Sequence, residues 1–355
     1  MNLRKKIALN LHSKYIKTQA KLHDLSYFFW ECTANCNLAC LHCGSDCKVQ
    51  PDVEDMPAQD FLKVAQSLAN KYNVNDIMVV ITGGEPLMRQ DLHEVGGELK
   101  KMGFSWGMVS NGYLLTEERF RLLRNNGLNS VTISLDGLEE NHDWMRGKIG
   151  SFEKALNAIK VLVSEPEMTY DVVTCVNQRN ISELEQIKKL LIDIGVKKWR
   201  LFVIDPIGRA NENTELLLDS SQFRELLDFI VSARENKEIL TSFGCDGFLG
   251  DYENKVRDGF FFCRAGIHVG SVLANGDISA CPNIDREFVQ GNIYKDDFID
   301  VWENRFQVFR NRKQFKKDMC NGCKLWKYCL GDGMHLHTPD SANPVVCYYR
   351  KLNDL

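Results

Sequence analysis

From about residue 25 the chain alternates short β-rich runs with amphipathic stretches, and this rhythm restricts its fold more than any other feature of the 355 residues. The strand candidates are Leu25 to Cys32, Asp76 to Thr82, Ser105 to Ser110, Ser130 to Ser134, Tyr170 to Val176 and Lys198 to Ile204. Helical patterns lie between them at Pro57 to Tyr72, Asp91 to Met102, Thr116 to Asn125, Ser151 to Val163 and Ser182 to Ile194. Thr116, Ser151 and Ser182 supply caps or first-turn residues. Gly103, Gly127 and Gly195 stand where a helix ends most easily in a left-handed residue. Strands joined through helices pair in parallel by right-handed crossovers, which leaves a parallel sheet or a barrel. In such folds the chemistry collects at the carboxyl ends of the strands.

After Ile204 the rhythm changes. Asp205 to Ala210 reads as a loop and Ser220 to Asn236 as one more helix. From about Gly244 the chain is rich in Cys, Gly and aromatics, as in a small metal-stapled domain. The first 24 residues predict a packing helix with Ile7, Leu11 and Tyr15 on one face.

The 44 basic and 48 acidic residues leave a formal net charge of -4, which argues against a polyanion-binding surface and so against nucleic acid as a partner. Apolar runs such as Ile77 to Ile81 are about five residues long, against about twenty for a membrane span. Asn10, His12, Ser13, Lys14 and Lys17 interrupt the basic amino terminus, so no signal-peptide core forms, and a cytoplasmic protein is expected. Thirteen cysteines are the abnormal number. In a reducing compartment tight cysteine spacings point to metal or catalysis rather than disulfides.

Five of them fall in Cys32-Thr-Ala-Asn-Cys36-Asn-Leu-Ala-Cys40-Leu-His-Cys43-Gly-Ser-Asp-Cys47, just past the first strand. Cys36, Cys40 and Cys43 can curl around one centre. Zinc sites normally close with four ligands, whereas three thiolates leave one iron of a cubane open to substrate. This C-x3-C-x2-C triplet, with His42 before its last cysteine, resembles the signature of the radical S-adenosylmethionine (SAM) enzymes. Cys32 and Cys47 fall outside the register, as free thiols or in a redox or substrate-thiol role.

Further motifs arrive in the order that resemblance requires. Thr82-Gly83-Gly84-Glu85-Pro86 ends the second strand; glycines admit close backbone approach and a carboxylate can pair with an ammonium. The resemblance assigns Gly83, Gly84 and Glu85 to the methionine amino group of SAM. Ser110-Asn111-Gly112 and Ser134-Leu135-Asp136-Gly137 end the third and fourth strands. By the same resemblance Ser110, Ser134 and Asp136 are candidates for the ribose hydroxyls, although each is also a common turn residue. His142-Asp143-Trp144-Met145-Arg146-Gly147 resembles the H-D-x-x-R-G stretch of the peptide-modifying branch, with Arg146 as the SAM carboxylate's partner. Thr174 and Asn177 are weaker candidates around the adenosine. Gly208-Arg209-Ala210 also resembles the family.

The carboxyl-terminal pattern is Cys263-Arg-Ala-Gly266, Gly276-x4-Cys281-Pro282, Cys320-x2-Cys323-x5-Cys329 and Cys347. It resembles the SPASM extension, which carries auxiliary iron–sulfur clusters. The full pattern has a further cysteine where this chain has Gly333. Cys320, Cys323, Cys329 and Cys347 therefore form the complete set, expected to hold one auxiliary 4Fe–4S cluster. Cys263 and Cys281 lack at least one partner of the family pattern, so the other auxiliary site is lost, incomplete or completed by an unexpected residue such as Cys245. A structural zinc ribbon is the plainer reading of the same cysteines.

The resemblance implies an α/β architecture: a helix at residues 1–24, a partial (β/α)6 TIM-like barrel over 25–215, a connecting helix in 216–243 and a cysteine-rich SPASM domain over 244–355. It implies an oxidoreductase that reductively cleaves SAM at a 4Fe–4S cluster to a 5'-deoxyadenosyl radical, with electrons from a flavodoxin- or ferredoxin-type donor. The expected substrate is a peptide or small protein, one version being a small lipoprotein precursor. Pro282 stands where the sulfatase-maturing enzymes would have an aspartate, which argues against that activity. The alternatives are a step in tetrapyrrole or quinone cofactor biosynthesis and, from another class, a non-catalytic iron–sulfur or zinc-binding module.

Overall fold

The computed structural model describes residues 3–47, 54–244, 246–341 and 343–355. The chain opens with helix α1 (Leu3–Leu22) and strand β1 (Tyr27–Glu31). There follow α2 (Ala58–Lys71), β2 (Met78–Thr82), α3 (Leu92–Lys101), β3 (Ser105–Ser110), α4 (Glu117–Asn125) and β4 (Leu128–Ser134). Helices α5 (Glu139–Arg146) and α6 (Ser151–Val163) both precede β5 (Thr169–Val176), which leads through α7 (Leu184–Asp193) to β6 (Lys198–Val203). The six expected strands are thus present, with bounds shifted by a residue or two.

Strands β1 to β6 pair in parallel in sequence order. Alternation sorts their side chains. Phe28 and Trp30 of β1 stack on Phe61 of α2 with ring centroids 5.3 and 4.3 Å apart, and Trp106 of β3 lies against Gly96 of α3, where a Cβ would meet the indole at 2.3 Å. The helix-facing set, including Val79, Ile81, Val131, Ile133 and Leu201, is fully buried. On the face away from the helices Phe29, Val80, Val109 and Phe202 are only half-buried, which leaves room for ligand on that side.

The segment expected merely to connect two domains extends the sheet. Helix α8 (Ser220–Asn236), closed at its amino end by a capping box of Asp219 and Gln222, leads to β7 (Leu240–Phe243), which pairs in parallel with β6. Strand β8 (Val269–Val272) comes from the cysteine-rich region and pairs in parallel with the opposite flank, β1. It then turns into the antiparallel strands β9 (Asp277–Ser279) and β10 (Gly291–Asn292). The order is β10-β9-β8-β1-β2-β3-β4-β5-β6-β7, so β7 and β8 end the parallel run on opposite sides and, among the described residues, the barrel stays open.

Helix α1 packs by a different face from the one expected. Leu9, Ser13 and Ile16 are buried, while Ile7, Leu11 and Tyr15 are 52%, 62% and 50% exposed. Apolar residues occupy two stripes of this helix, and polar contacts decide between them. The Ser13 hydroxyl donates to the Lys327 carbonyl at 2.7 Å and Tyr328 donates to Asn10 at 3.1 Å. Leu9 closes a small core with Phe248, Phe261 and Tyr328.

Candidate active site and auxiliary centre

The loop after β1 carries the cysteine triplet and is tied down by three separate elements, each through a glycine. Glu85 N–H donates to the Asn35 carbonyl at 2.9 Å and Gly84 N–H to Thr33 at 2.8 Å. A Cβ on Gly83 would lie 2.3 Å from the Thr33 oxygen, and one on Gly84 2.1 Å from the Asn35 oxygen. These glycines are therefore required by the cysteine-bearing loop itself, whatever else they approach. Below it, Ala39 and Leu41 N–H groups donate to the Arg146 and Met145 carbonyls at the end of α5, where Gly147 turns left-handed at φ +65° against Ala39. After β6, Gly208 sits at φ +57° with a Cβ position 2.4 Å from the Cys43 oxygen, and Arg209 N–H donates to that oxygen.

Held this way, Cys36, Cys40 and Cys43 lie close enough for their charges to interact, and Cys36, Cys40 and Cys47 are buried together with Leu38 beside Cys43 and Tyr113. Burial pushes the Cys36 thiol up to about 11. Cys43 is lowered to about 5 by a hydrogen bond from Cys47. Cys32 is apart: it belongs to the main hydrophobic core, near Arg89 and Asp55. Two side chains reach sulfurs of the triplet. Arg146 Nη1 is 3.5 Å from Cys40 Sγ, and Asn111 Nδ2 is 3.9 Å from Cys36 Sγ. Such contacts tune metal-bound thiolates.

The strand-end residues form one buried network. Glu85 is fully buried; its carboxylate accepts from Ser110 Oγ at 2.8 Å and from the N–H groups of Asn111 and Leu87 at 2.8 and 3.1 Å. Burial raises its pKa against the pull of those donors. An arriving ammonium would offset that burial cost, and one carboxylate lone pair is left for it. The Ser110 hydroxyl is spent on Glu85 and on Gly112 N–H, so it supports the glutamate. Ser134 is half-buried at the end of β4. Asp136 has no exposed surface; it accepts from Cys175 N–H and pairs with Arg146. Despite burial, Arg146 holds the Asp136 carboxyl below its usual range. The buried Nε of Arg146 has no hydrogen-bond partner, an unmet donor that suits a ligand carboxylate.

Other family-like residues hold the scaffold. His142 Nδ1 accepts from Asp136 N–H at 3.0 Å, and burial lowers its pKa to about 4. Asp143 accepts from Gly150 and Phe152 N–H and from Ser151 Oγ, so it caps α6 in place of the Ser151 cap expected from sequence. Thr174 and Asn177 are fully buried and bonded to Leu135 and Met145. Asn111, whose amide reaches both Cys36 and Asn37, is the contact that sequence reading passed over. Its position inside Ser110-Asn111-Gly112 was the available signal.

In the carboxyl-terminal part, Cys320 interacts with Cys323, Cys329 with Cys347 and Cys320, and Cys347 with both Cys320 and Cys323. The four thiols expected to act together lie within electrostatic reach of one another. Among the described residues no three His, Cys, Asp or Glu side chains close around a single ion, in this group or in the amino-terminal one. A cubane distributes its ligands over separate irons, so both sets suit it without convergence on one point. Cys245 lies outside the described residues.

Residues 30–191 match the Radical SAM superfamily, and residues 263–324 match SPASM, an iron–sulfur cluster-binding domain. The chain is a radical SAM enzyme with a SPASM domain. This radical SAM chain is 25% identical over 343 residues to the AdoMet-dependent heme synthase of Nitratidesulfovibrio vulgaris, covering 90% of itself and 91% of that protein. It is 29% identical over 310 residues to the mycofactocin maturase MftC of Mycolicibacterium smegmatis, covering 86% of itself and 77% of the maturase. Its fold matches the solved structure of anSMEcpe with bound AdoMet and a Cp18Cys peptide at a TM-score of 0.71 and 19% identity, over 93% of this chain and 95% of that one. The cofactors of this radical SAM enzyme are accordingly SAM and 4Fe–4S clusters. No helix among the described residues is long and apolar enough to cross a membrane.

Proposed function

We propose that this enzyme modifies a peptide or small protein, with Cys36, Cys40 and Cys43 holding the SAM-binding cluster and Cys320, Cys323, Cys329 and Cys347 the auxiliary one. When bound, cluster and SAM supply radical chemistry able to take hydrogen from an unactivated C–H bond; orientation and dryness fall to the protein. Glu85, fixed by Ser110 and Asn111, receives the SAM ammonium. Arg146 receives its carboxylate through the unpaired Nε while keeping Asp136 ionised. Ser134, half-buried at the end of β4, is the remaining candidate for a ribose hydroxyl. The glycines at 83, 84, 147 and 208 hold the loop so that these groups keep their places.

The observation that favours a peptide over a tetrapyrrole is the charge of the mouth. Beyond β4, β6 and β7 stand Asp136, Asp205 and Asp246, and the nearby cations Arg146 and Arg257 are paired with Asp136 and Glu253. Burial and the neighbouring Asp205 push the Asp246 carboxyl up to about 7, so this side is already crowded with carboxyl groups, a poor setting for a tetrapyrrole's several carboxylates. The relationship to a maturase points the same way; the relationship to a heme synthase over 90% of the chain keeps the tetrapyrrole as the second reading. The test is anaerobic reconstitution with SAM, reductant and either candidate precursor peptides or a porphyrin bearing propionates, followed by mass spectrometry. A mass change on peptide, with 5'-deoxyadenosine formed by the wild type and by Cys32→Ala but not by Cys36→Ala, is expected. Conversion of the porphyrin alone would reverse the assignment.

A further inference from the structure

The position at which the SPASM pattern calls for another cysteine is Gly333, and the structure has put a different side chain into the space. A Cβ built on Gly333 would lie 2.4 Å from Cε1 and 2.6 Å from Nδ1 of His335. The imidazole therefore occupies the place where a cysteine side chain would begin. Its far nitrogen, Nε2, is 3.4 Å from Asp205 Oδ2, and the Tyr348 hydroxyl holds that carboxylate with contacts of 2.7 and 2.8 Å. A histidine that binds metal almost always gives its other nitrogen to a carboxylate, carbonyl or water, which fixes the ring and its tautomer. Here that outer partner is already in place, and the near nitrogen stays on the Gly333 side.

The two cysteines without a family partner converge on the same neighbourhood. Cys263 Sγ accepts from Met334 N–H at 3.5 Å, and its charge is felt at His335. Ser271 faces Ser279 and Val272 faces Ile278 across the β8–β9 pair. The pairing ends there, with Cys281 two residues beyond Ser279 and Val269 two residues before Ser271, and Val269 is itself bridged to Ala265. Cys263 and Cys281 thus approach one end of the same hairpin. Beside them Arg312 is 6% exposed, and its guanidinium bears on Cys263 both by charge and by hydrogen bond. A buried guanidinium set against a thiol suits an anionic group.

We propose that Cys263, Cys281 and His335 bind a second auxiliary iron–sulfur cluster, His335 replacing the cysteine absent at 333 while Asp205 orients its ring and Arg312 offsets the cluster's charge. Three protein ligands are what the amino-terminal triplet also provides. An imidazole on the iron raises the reduction potential relative to an all-thiolate cluster, which suits an electron acceptor. This assignment is independent of the substrate.

The test uses anaerobically reconstituted full-length enzyme and needs no substrate. With three 4Fe–4S clusters, iron and sulfide should each count about twelve per chain in the wild type and about eight in Cys263→Ala and His335→Ala. His335→Cys should restore the larger count. In wild type labelled with nitrogen-15 histidine, pulsed electron paramagnetic resonance of the reduced enzyme should show strong nitrogen coupling, absent in His335→Cys. About eight irons in the wild type, an unchanged count in His335→Ala, one zinc lost in Cys263→Ala, or no nitrogen coupling would each overturn the proposal. The labelled wild-type spectrum keeps the test decisive even where a variant fails to fold.

Discussion

At the scale of single residues, the active site depends on side chains that are missing. Gly208 leaves no room for a Cβ against the Cys43 oxygen and sits at φ +57°, whereas Gly44, next to that same cysteine, has nothing within 4 Å of a Cβ position. Gly208→Ala must displace the backbone under Cys43, with the left-handed conformation alone costing about 1–3 kcal/mol. It should lose about four irons per chain, while Gly44→Ala keeps its full complement; iron analysis with the amino-terminal cluster's spectrum distinguishes them. The triplet and the Gly-Gly-Glu motif were legible in sequence because they are contiguous and chemically unusual. The roles of Ser110 and Asp136 were not, since a short polar residue at a strand end looks the same whether it faces a ligand or a neighbour. Glu85 decides the case of Ser110 and Arg146 that of Asp136, and neither pairing is encoded by local spacing.

At the scale of elements, α1 shows how a helix with two apolar stripes misleads. Leu9 is 1% exposed and Leu11 62%. Leu9→Ala should cost about 2–5 kcal/mol, and Leu11→Ala should stay within about 0.5 kcal/mol, as measured by urea unfolding. Periodicity found the helix, but the choice of face belongs to Lys327, Tyr328 and Phe261, hundreds of residues away. The six strands β1 to β6 were readable because each is five to eight residues long and bounded by turns. Strands β8, β9 and β10 are four, three and two residues long, too short to show alternation, and exist because β1 offers them an edge.

At the scale of the whole molecule, Glu303 joins distant parts of the chain. Its carboxylate takes hydrogen bonds from His23 beyond α1, from Lys71 at the end of α2 and from Tyr72. Burial opposes its ionisation, but Tyr72, His23 and Lys71 outweigh that and lower its pKa to about 2 from a usual 4.5. The stabilisation from the charged form is therefore complete above about pH 4.5 and fades as pH falls towards 2. Glu303→Gln should be less stable than wild type at pH 6, with the gap closing between pH 4.5 and 2 in thermal or urea unfolding.

The parallel pairing of β8 with β1 carries a consequence for any attempt to divide this protein. A shortened form ending before Cys263 would strip one flank from the strand that leads into the loop of the cysteine triplet. Backbone donors and acceptors beside Phe28 and Trp30 would then face solvent, and such an edge recruits strands from other copies. Precipitation of the isolated barrel would follow from that unpaired border, whatever the state of its iron.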